Sequence, residues 1–216
     1  MEYIGWSSRG NEQKAAVIIP DGCRDIIVVR QEGDIHDVFL SDIDWHPRIV
    51  HMQASRELTG YRMPPGTVVN PADLIDLRHG SRLTHADLMH VATTDEEMTA
   101  LVALLAETQL PVARVATTAG VSERTLQRHF KARNLPKPEF WRQLGRARRA
   151  AMALEIYPSL SETALAFGYS DQAHMTREFV RWFGATPQRL RRKPDLLRLI
   201  AQPGLGNWTA EQSSTR

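Results

Sequence analysis

The feature of the sequence that most constrains the fold is a pair of short helical patterns joined at a glycine, and this pair occurs twice. The first copy covers residues 115–130 and turns at Gly120, and the second covers residues 161–179 and turns at Gly168. Glycine adopts a left-handed backbone without steric cost and so permits a sharp turn. In the first copy Ser122 follows the turn and can cap the next helix. The repeat predicts two helix-turn-helix units.

The second helix of the first copy has one apolar face and one face of long polar side chains. Val121, Leu126 and Phe130 recur at helical spacing and are predicted to point inward. The opposite face carries Glu123, Arg124, Gln127 and Arg128. Arginine can donate two hydrogen bonds to guanine and glutamine can pair with adenine in the major groove. The alternative is an ordinary solvated helix face, and the second copy favours the DNA-reading interpretation.

Between the two copies, residues 140–154 have apolar positions at helical spacing and predict one continuous helix. A rigid connector would fix the distance between two recognition helices. Helices held roughly 34 Å apart can enter successive major grooves on one face of the duplex.

The charges are divided unequally along the chain, although the net charge is only +2. Residues 1–93 carry 9 basic and 13 acidic side chains, whereas residues 111–193 carry 16 basic and 6 acidic ones. Phosphate neutralisation supplies much of the affinity of proteins for DNA. The positive charge therefore predicts a nucleic-acid partner for the C-terminal half, the alternative being a basic surface that only aids solubility.

Residues from about Pro111 to Arg192 resemble the DNA-binding domain of the AraC/XylS family of transcription regulators. The resemblance is most specific over Gly168–Arg191, which reads GYSDQAHMTREFVRWFGATPQRLR. It departs from the family at Asn134, where glycine is common and where asparagine can adopt the left-handed conformation, and at the apolar positions Met175 and Leu190.

The resemblance implies a tandem helix-turn-helix domain whose two recognition helices contact bases. The expected base contacts are Glu123, Arg124, Gln127, Arg128, Gln172, Ala173, His174, Thr176 and Arg177. The expected phosphate contacts are Ser122, Lys131, Arg142, Arg146, Ser170, Arg181, Arg189, Arg191 and Arg192, with Lys193 in the same basic cluster.

The N-terminal part reads as short β-strands separated by turn signals. The candidates are residues 3–6, 15–19, 24–30, 37–40, 48–53 and 58–63. The phrase Ile19–Ile27 and the later Gly60–Gly66 resemble the short N-terminal domain that precedes this DNA-binding module in one branch of the family. That resemblance implies a sensory or regulatory domain whose ligand it does not identify. The predicted fold class is therefore α+β, with a small β-rich domain like a reduced barrel or half-cupin before an all-α domain.

The expected boundaries are a regulatory domain at residues 1–93, a DNA-binding domain at 94–193 and a partly disordered C-terminal extension at 194–216. Two short helical pieces are expected at residues 71–77 and 86–90. A longer helix is expected to begin at Thr94, with Glu97 completing a capping box. Its apolar side packs on the first DNA-binding unit, bridges the domains or forms a dimer surface, and simple packing is favoured.

Three further groups of residues allow more than one interpretation. Six of the eight histidines lie in the N-terminal part, but their spacing matches no tight ligand motif, so surface or hydrogen-bonded histidines are expected instead of a metal site. Cys23, the single cysteine, is a candidate redox or alkylation sensor beside Arg24, although a buried inert thiol is the favoured alternative. Trp141, Trp182 and Phe183 are expected to fill the helical core and not to stack on bases.

Together these observations predict a transcription regulator that binds double-stranded DNA and has neither catalytic activity nor a cofactor. The expected partners are promoter DNA and RNA polymerase, together with an unidentified small-molecule effector and a second copy of the chain. A cytoplasmic, nucleoid-associated protein is expected because the sequence shows no apolar run or signal peptide typical of membrane insertion or export. The alternatives are an N-terminal enzyme or metal-dependent sensor fused to a DNA-binding module, and a non-specific architectural DNA binder.

Overall fold

The structure is a computed structural model that describes residues 3–9, 14–52, 56–77, 83–93 and 95–208. Among these residues, eight short β-strands occupy the N-terminal part. They are β1 (Ile4–Arg9), β2 (Lys14–Ile18), β3 (Arg24–Gln31), β4 (Asp34–Leu40), β5 (Arg48–Met52), β6 (Arg56–Met63), β7 (Val68–Val69) and β8 (Ala92–Thr93).

The strands pair in three antiparallel sheets. The largest has the order β1-β6-β3-β4, and β2 pairs with β5 while β7 pairs with β8. Strand β3 is rich in β-branched residues and lies at the centre, with Ile26 and Val28 fully buried. The β-rich N-terminal part is confirmed, as three separate sheets within the described residues.

Ten α-helices follow or interrupt the strands in the described part of the chain. A short 3₁₀ turn (Pro71–Asp73) precedes the first of them. The helices are α1 (Leu74–Leu77), α2 (His85–Val91), α3 (Glu96–Glu107), α4 (Val112–Thr118), α5 (Glu123–Ala132), α6 (Pro138–Met152), α7 (Leu160–Ala166), α8 (Gln172–Phe183), α9 (Pro187–Arg191) and α10 (Pro194–Ile200).

Helix α6 is the continuous connector that the sequence predicts at residues 140–154, although it begins and ends two residues earlier. The helical core forms around it. Trp141, Leu144 and Ala147 are fully buried on it. Trp182 and Phe183 are also buried, so the aromatic residues fill the core as expected. Helix α3 packs against α6 so closely that a Cβ on Gly145 would lie 2.6 Å from the Cα of Ala106. Helix α3 therefore packs on the DNA-binding half, and its Thr99 and Val102 also lie close to Gly66 of the N-terminal part.

Helix α3 begins one residue later than the sequence suggests. Its cap is Asp95, whose side chain accepts a hydrogen bond from the amide of Met98, and Thr94 lies outside the described residues. An aspartate carboxylate satisfies a free amide at a helix start as well as a threonine hydroxyl does. The two candidates are adjacent, so sequence pattern alone did not separate them.

The apolar interior consists of two clusters. One belongs to the β-rich part and contains Ile26, Val28 and Met63. The other fills the helical part and also takes in Ile19 and Ile43 from the N-terminal residues. Apolar packing therefore continues from one part of the molecule into the other. No helix in the described part of the chain has the length and apolar character that a membrane crossing needs.

Candidate nucleic-acid interface

The first helix-turn-helix unit consists of α4, a turn and α5. Gly120 has a φ of 70°, which is the left-handed conformation that the sequence predicts at the turn. The amide of Val121 reaches back to the carbonyl of Ala116 at 3.0 Å. Ser122 then caps α5, and its Oγ accepts a hydrogen bond from the amide of Thr125 at 3.1 Å. The chain reverses within a few residues and presents α5 at a fixed angle.

Helix α5 separates a buried face from a polar one, as predicted. Leu126 and Phe130 are fully buried, and Asn134 beyond the helix adopts a φ of 53°. The expected base-contacting side chains Glu123, Arg124, Gln127 and Arg128 are all exposed, as is Lys131. Gln127 donates to Glu123 at 3.2 Å, so these two side chains support each other one turn apart. This face can offer several hydrogen-bond donors to a ligand.

The second unit repeats the turn in α7 and α8. Gly168 also has a φ of 70°, and the amide of Tyr169 donates to the carbonyl of Ala164 at 2.9 Å. Asp171 caps α8 by accepting from the amide of His174 at 2.6 Å. The two turns are therefore equivalent in backbone geometry.

The polar face of α8 makes more local contacts than that of α5. Gln172, Ala173 and Arg177 are exposed, whereas His174 and Thr176 are half-buried. The His174 ring lies 3.1 Å from the Ser170 hydroxyl and packs edge-on against Tyr169. Thr176 donates its hydroxyl to the carbonyl of Gln172, within its own helix. These neighbours hold the His174 ring and the Thr176 hydroxyl in position.

Two of the expected phosphate contacts are used inside the protein. Arg146 is 8% exposed, stacks on the Tyr169 ring at 4.3 Å and approaches Glu178 at 3.6 Å. Arg191 donates to the carbonyls of Leu154 and Tyr157 at 2.9 and 2.7 Å. A guanidinium held in this way would have to break those contacts to reach DNA phosphate, so a phosphate contact from either residue stays a prediction that these contacts disfavour.

Arg142 and Arg181 are also engaged by neighbouring side chains. Arg142 forms a double hydrogen bond with Glu139 at 2.9 and 2.5 Å. Arg181 donates to Gln143 at 3.1 Å and stacks on Trp182 at 4.4 Å. These contacts compete with phosphate for the two guanidinium groups, so a phosphate contact from Arg142 or Arg181 stays a prediction.

The other expected phosphate contacts lie at the surface. Lys131, Arg189 and Arg192 are exposed, and Ser122 and Ser170 lie at or next to the starts of the recognition helices. Arg189 and Arg192 also line a cleft between α9–α10 and the β2–β5 sheet. Helix starts offer free amides to anions, so the two serines are suitably placed for phosphate.

The candidate sensor Cys23 is buried, with 6% of its surface exposed. Burial raises the pKa of its thiol well above the ordinary value, and the Asp21 carboxylate raises it further. A protonated, enclosed thiol reacts slowly. The structure thus favours the inert alternative. Among the described residues, His, Cys, Asp and Glu form no group of three or more that could hold a metal ion.

Sequence reasoning missed the residues that attach the two units to the rest of the molecule. Gln109 donates to the carbonyl of Ala166 at 2.8 Å, and Arg133 pairs with Asp95 at 2.5 Å. Arg148 is almost fully buried and donates to the segment after α10. No local pattern signals these contacts, because each joins residues at least 38 positions apart.

Comparison with known proteins agrees with this geometry. Residues 115–193 match a family model described as a helix-turn-helix domain. The chain is 33% identical over 101 residues to the HTH-type transcriptional regulator VirS of Mycobacterium tuberculosis, a match that covers 46% of this chain and 30% of VirS. The match thus spans less than a third of that protein.

Two solved structures have lower similarity. An AraC-type transcriptional regulator from Chromobacterium violaceum is 28% identical, with a TM-score of 0.40, and the match covers 50% of this chain and 96% of that one. ToxT from Vibrio cholerae is 6% identical, with a TM-score of 0.44, and the match covers 88% of this chain and 98% of that one. These TM-scores are too low to carry an argument about this chain.

The paired helices, the two left-handed glycine turns and the matching family model define a DNA-binding domain of the helix-turn-helix class. Residues 115–193 belong to this class, and the two units lie on either side of the connector helix α6.

Proposed function

We propose that the whole chain is a sequence-specific transcription regulator that inserts α5 and α8 into successive major grooves of one DNA duplex. The proposal rests on one structural arrangement that occurs in both helix-turn-helix units. Each unit has a left-handed glycine turn, a capped second helix and a polar face on that helix opposite a buried apolar one.

The proposed base contacts are the residues expected from the sequence, and each is assigned a role according to the contacts its side chain already makes. Arg124, Gln127 and Arg128 would read bases from α5, and Arg177 would do so from α8. His174 would contact bases through Nε2 or its ring edge, because Ser170 engages Nδ1 and Tyr169 packs against the ring. Glu123, Gln172, Ala173 and Thr176 complete the proposed base-contacting surface.

The proposed phosphate contacts are fewer than the sequence suggested. Ser122, Ser170, Lys131, Arg189 and Arg192 remain, because their side chains lie at the surface near the recognition helices or beyond α8. Phosphate contacts would set affinity and orientation, whereas base contacts would set specificity.

The N-terminal domain is proposed to regulate DNA binding in response to a small molecule. RNA polymerase and a second copy of the chain are the proposed protein partners, and no catalytic step belongs to the proposal. An architectural, non-specific binder is the competing function. The different residues on α5 and α8 favour sequence-specific reading, since a non-specific binder needs only positive charge.

Selection of bound sequences from a random DNA pool tests the proposal directly. We expect one recovered motif with two conserved segments, separated by about one helical turn, roughly 10 base pairs. Recovery of unrelated sequences, or equal competition by random DNA, would contradict sequence-specific binding. A single short conserved segment would contradict the use of both recognition helices.

A matched pair of variants tests the division of roles. Arg128→Ala should lose about 1–3 kcal/mol of discrimination at one base pair of the selected site. Arg192→Ala should weaken binding to all sequences alike and lower the salt dependence by about one ion. Titrations against the selected site and its single-base variants, at several salt concentrations, measure both effects. Equal losses on every sequence for both variants would show that the division is wrong.

A further inference from the structure

The segment after α10 lies between the two parts of the molecule, although its sequence suggested disorder. Gly204 and Leu205 are both buried, and only 2% of the surface of Leu205 is exposed. The amide of Leu205 donates to the carbonyl of Asp21 in the N-terminal domain at 2.7 Å. We call residues 202–207 the strap. Within the extension at 194–216 that is expected to be partly disordered, the structure describes α10 and the strap as folded.

On its other side the strap contacts the connector helix through Arg148. This side chain is 1% exposed, and it donates from Nε to the carbonyl of Leu205 at 2.9 Å. Its Nη2 donates to the carbonyl of Gln202 at 2.8 Å and to Oδ1 of Asn207 at 2.9 Å. A buried guanidinium is tolerated only when its donors are satisfied, and the strap supplies all three of these acceptors.

The strap also packs tightly against the elements on both of its sides. A Cβ on Gly204 would lie 2.9 Å from both Nη2 of Arg148 and the carbonyl oxygen of Asp21. A Cβ on Gly22 would lie 3.0 Å from the Cβ of Leu205 and 3.3 Å from the Trp141 ring of α6. The N-terminal turn, the strap and α6 therefore form three layers in direct contact.

The turn that receives the strap is fixed in the N-terminal sheet by a network of ion pairs. Arg62 of β6 lies 3.2 Å from Asp21 and 3.2 Å from Asp25 of β3. Trp6 of β1 donates its indole N–H to Asp25 at 3.0 Å. A displacement of the sheet would thus reach Asp21, then the strap, and then Arg148 on the connector.

We propose that the strap is an intramolecular clamp that fixes the N-terminal domain on α6, and that Arg148 is the positioning residue of this clamp. The clamp orients the domains and does not cover the DNA-facing surface, because Arg124, Arg128 and Arg177 are exposed while the strap is docked. The effect of the clamp on DNA binding rests on the proposed function, whereas the docking of the strap between the two parts does not.

The single cysteine provides a direct measure of docking. Cys23 follows Gly22 at the strap contact and is buried, so it should react slowly while the strap is in place. A chain that ends at Ala201 should react with a neutral thiol reagent about tenfold faster or more, which corresponds to about 1.4 kcal/mol of lost protection. A chain that ends at Trp208 keeps the strap and should react as slowly as the full chain.

Circular dichroism and a urea-unfolded reference separate undocking from unfolding. An undocked chain keeps its helical signal and reacts faster than the full chain but slower than the unfolded one. Asn207→Ala serves as a milder second variant, because it removes one acceptor of Arg148 and leaves the main chain intact. A chain ending at Ala201 that folds and reacts as slowly as the full chain would overturn the clamp.

DNA affinity tests the positioning role of Arg148. On the selected site, we expect Arg148→Met and the chain ending at Ala201 to bind about 5-fold more weakly or worse, at the lower end of typical coupling between sites. Asp21→Asn should weaken binding in the full chain and add nothing in the chain that ends at Ala201. Unchanged affinity with faster thiol reaction would overturn the positioning role but not the clamp. Absence of a selected site in the full chain would instead count against the proposed function alone.

Discussion

The two helix-turn-helix units share their backbone and differ in how their reading surfaces are held. Both turns have glycine at a φ of 70°, and both second helices bury a phenylalanine completely, Phe130 in one and Phe179 in the other. The polar face of α5 is open to solvent at each expected base contact, whereas two of the five on α8 are half-buried against neighbouring groups. The second unit is therefore more preorganised, and the first has more freedom to adjust to DNA.

The units are also attached differently to the two ends of α3. Arg133 at the end of α5 pairs with Asp95 at the start of α3 at 2.5 Å. Gln109, just after α3, donates to the carbonyl of Ala166 at the end of α7 at 2.8 Å. One attachment is ionic and the other is neutral. The residues around the same local motif can thus make its attachment sensitive to charge in one unit and not in the other.

The largest expected effect concerns the buried feature that the units share. Phe130→Ala and Phe179→Ala should each lower the free energy of unfolding by about 3–5 kcal/mol, because each leaves a cavity in one continuous core. Urea denaturation followed by circular dichroism measures both. A difference between the two variants larger than about 2 kcal/mol would show that one unit is packed much less well.

The next effect separates the two reading surfaces. Arg128→Ala and Arg177→Ala should each lose about 1–3 kcal/mol of specific DNA affinity, at different segments of the selected site. Titration against single-base variants of the site checks this. Losses at the same base pair for both variants would contradict the assignment of one unit to each segment.

The sequence predicts the local features of the domain because neighbouring residues determine them. The glycine turns, the Ser122 cap and the inward positions of Leu126 and Phe130 all follow from spacing and residue type. Asn134 in a left-handed conformation follows from the same reasoning.

The partners of the arginines could not be predicted in this way. Arg146 and Arg191 have the residue type and position of phosphate contacts, but Tyr169, Glu178 and distant carbonyls hold them. The strap has the proline, glycine and polar residues typical of disorder, but the buried Arg148 and the carbonyl of Asp21 hold it in place. Such contacts depend on the packing of whole elements, which no short window of sequence contains.

A smaller effect should distinguish the two turns. Gly120→Ala should cost about 1–2 kcal/mol of stability through its left-handed backbone alone, since the new Cβ would have open space around it. Gly168→Ala should cost about 1 kcal/mol more, because its Cβ would lie 2.9 Å from Oε1 of Gln109 and disturb the hydrogen bond to Ala166. Thermal unfolding of both variants measures the difference. If Gln109→Ala is introduced first, the two glycine variants should become equal, and a difference that persists would contradict this explanation.

The smallest effect should reveal the difference between the ionic and neutral attachments. The amide of Met98 and the Arg133 guanidinium hold the pKa of Asp95 below its ordinary value, against a partial opposing effect of burial. A carboxyl with a lowered pKa in the folded state stabilises the fold above its unfolded pKa of about 3.9, and this stabilisation is lost as the pH falls through the folded value.

Asp95→Asn keeps a capping side chain but loses the ion pair, so at pH 7 it should be less stable by up to about 1 kcal/mol. Urea denaturation should show that this deficit shrinks as the pH is lowered below about 4, whereas the deficit of Gln109→Ala should stay constant because no charge is involved. A deficit for Asp95→Asn that did not change with pH would mean that the first unit is held by capping and packing, and the contrast between the two attachments would then disappear.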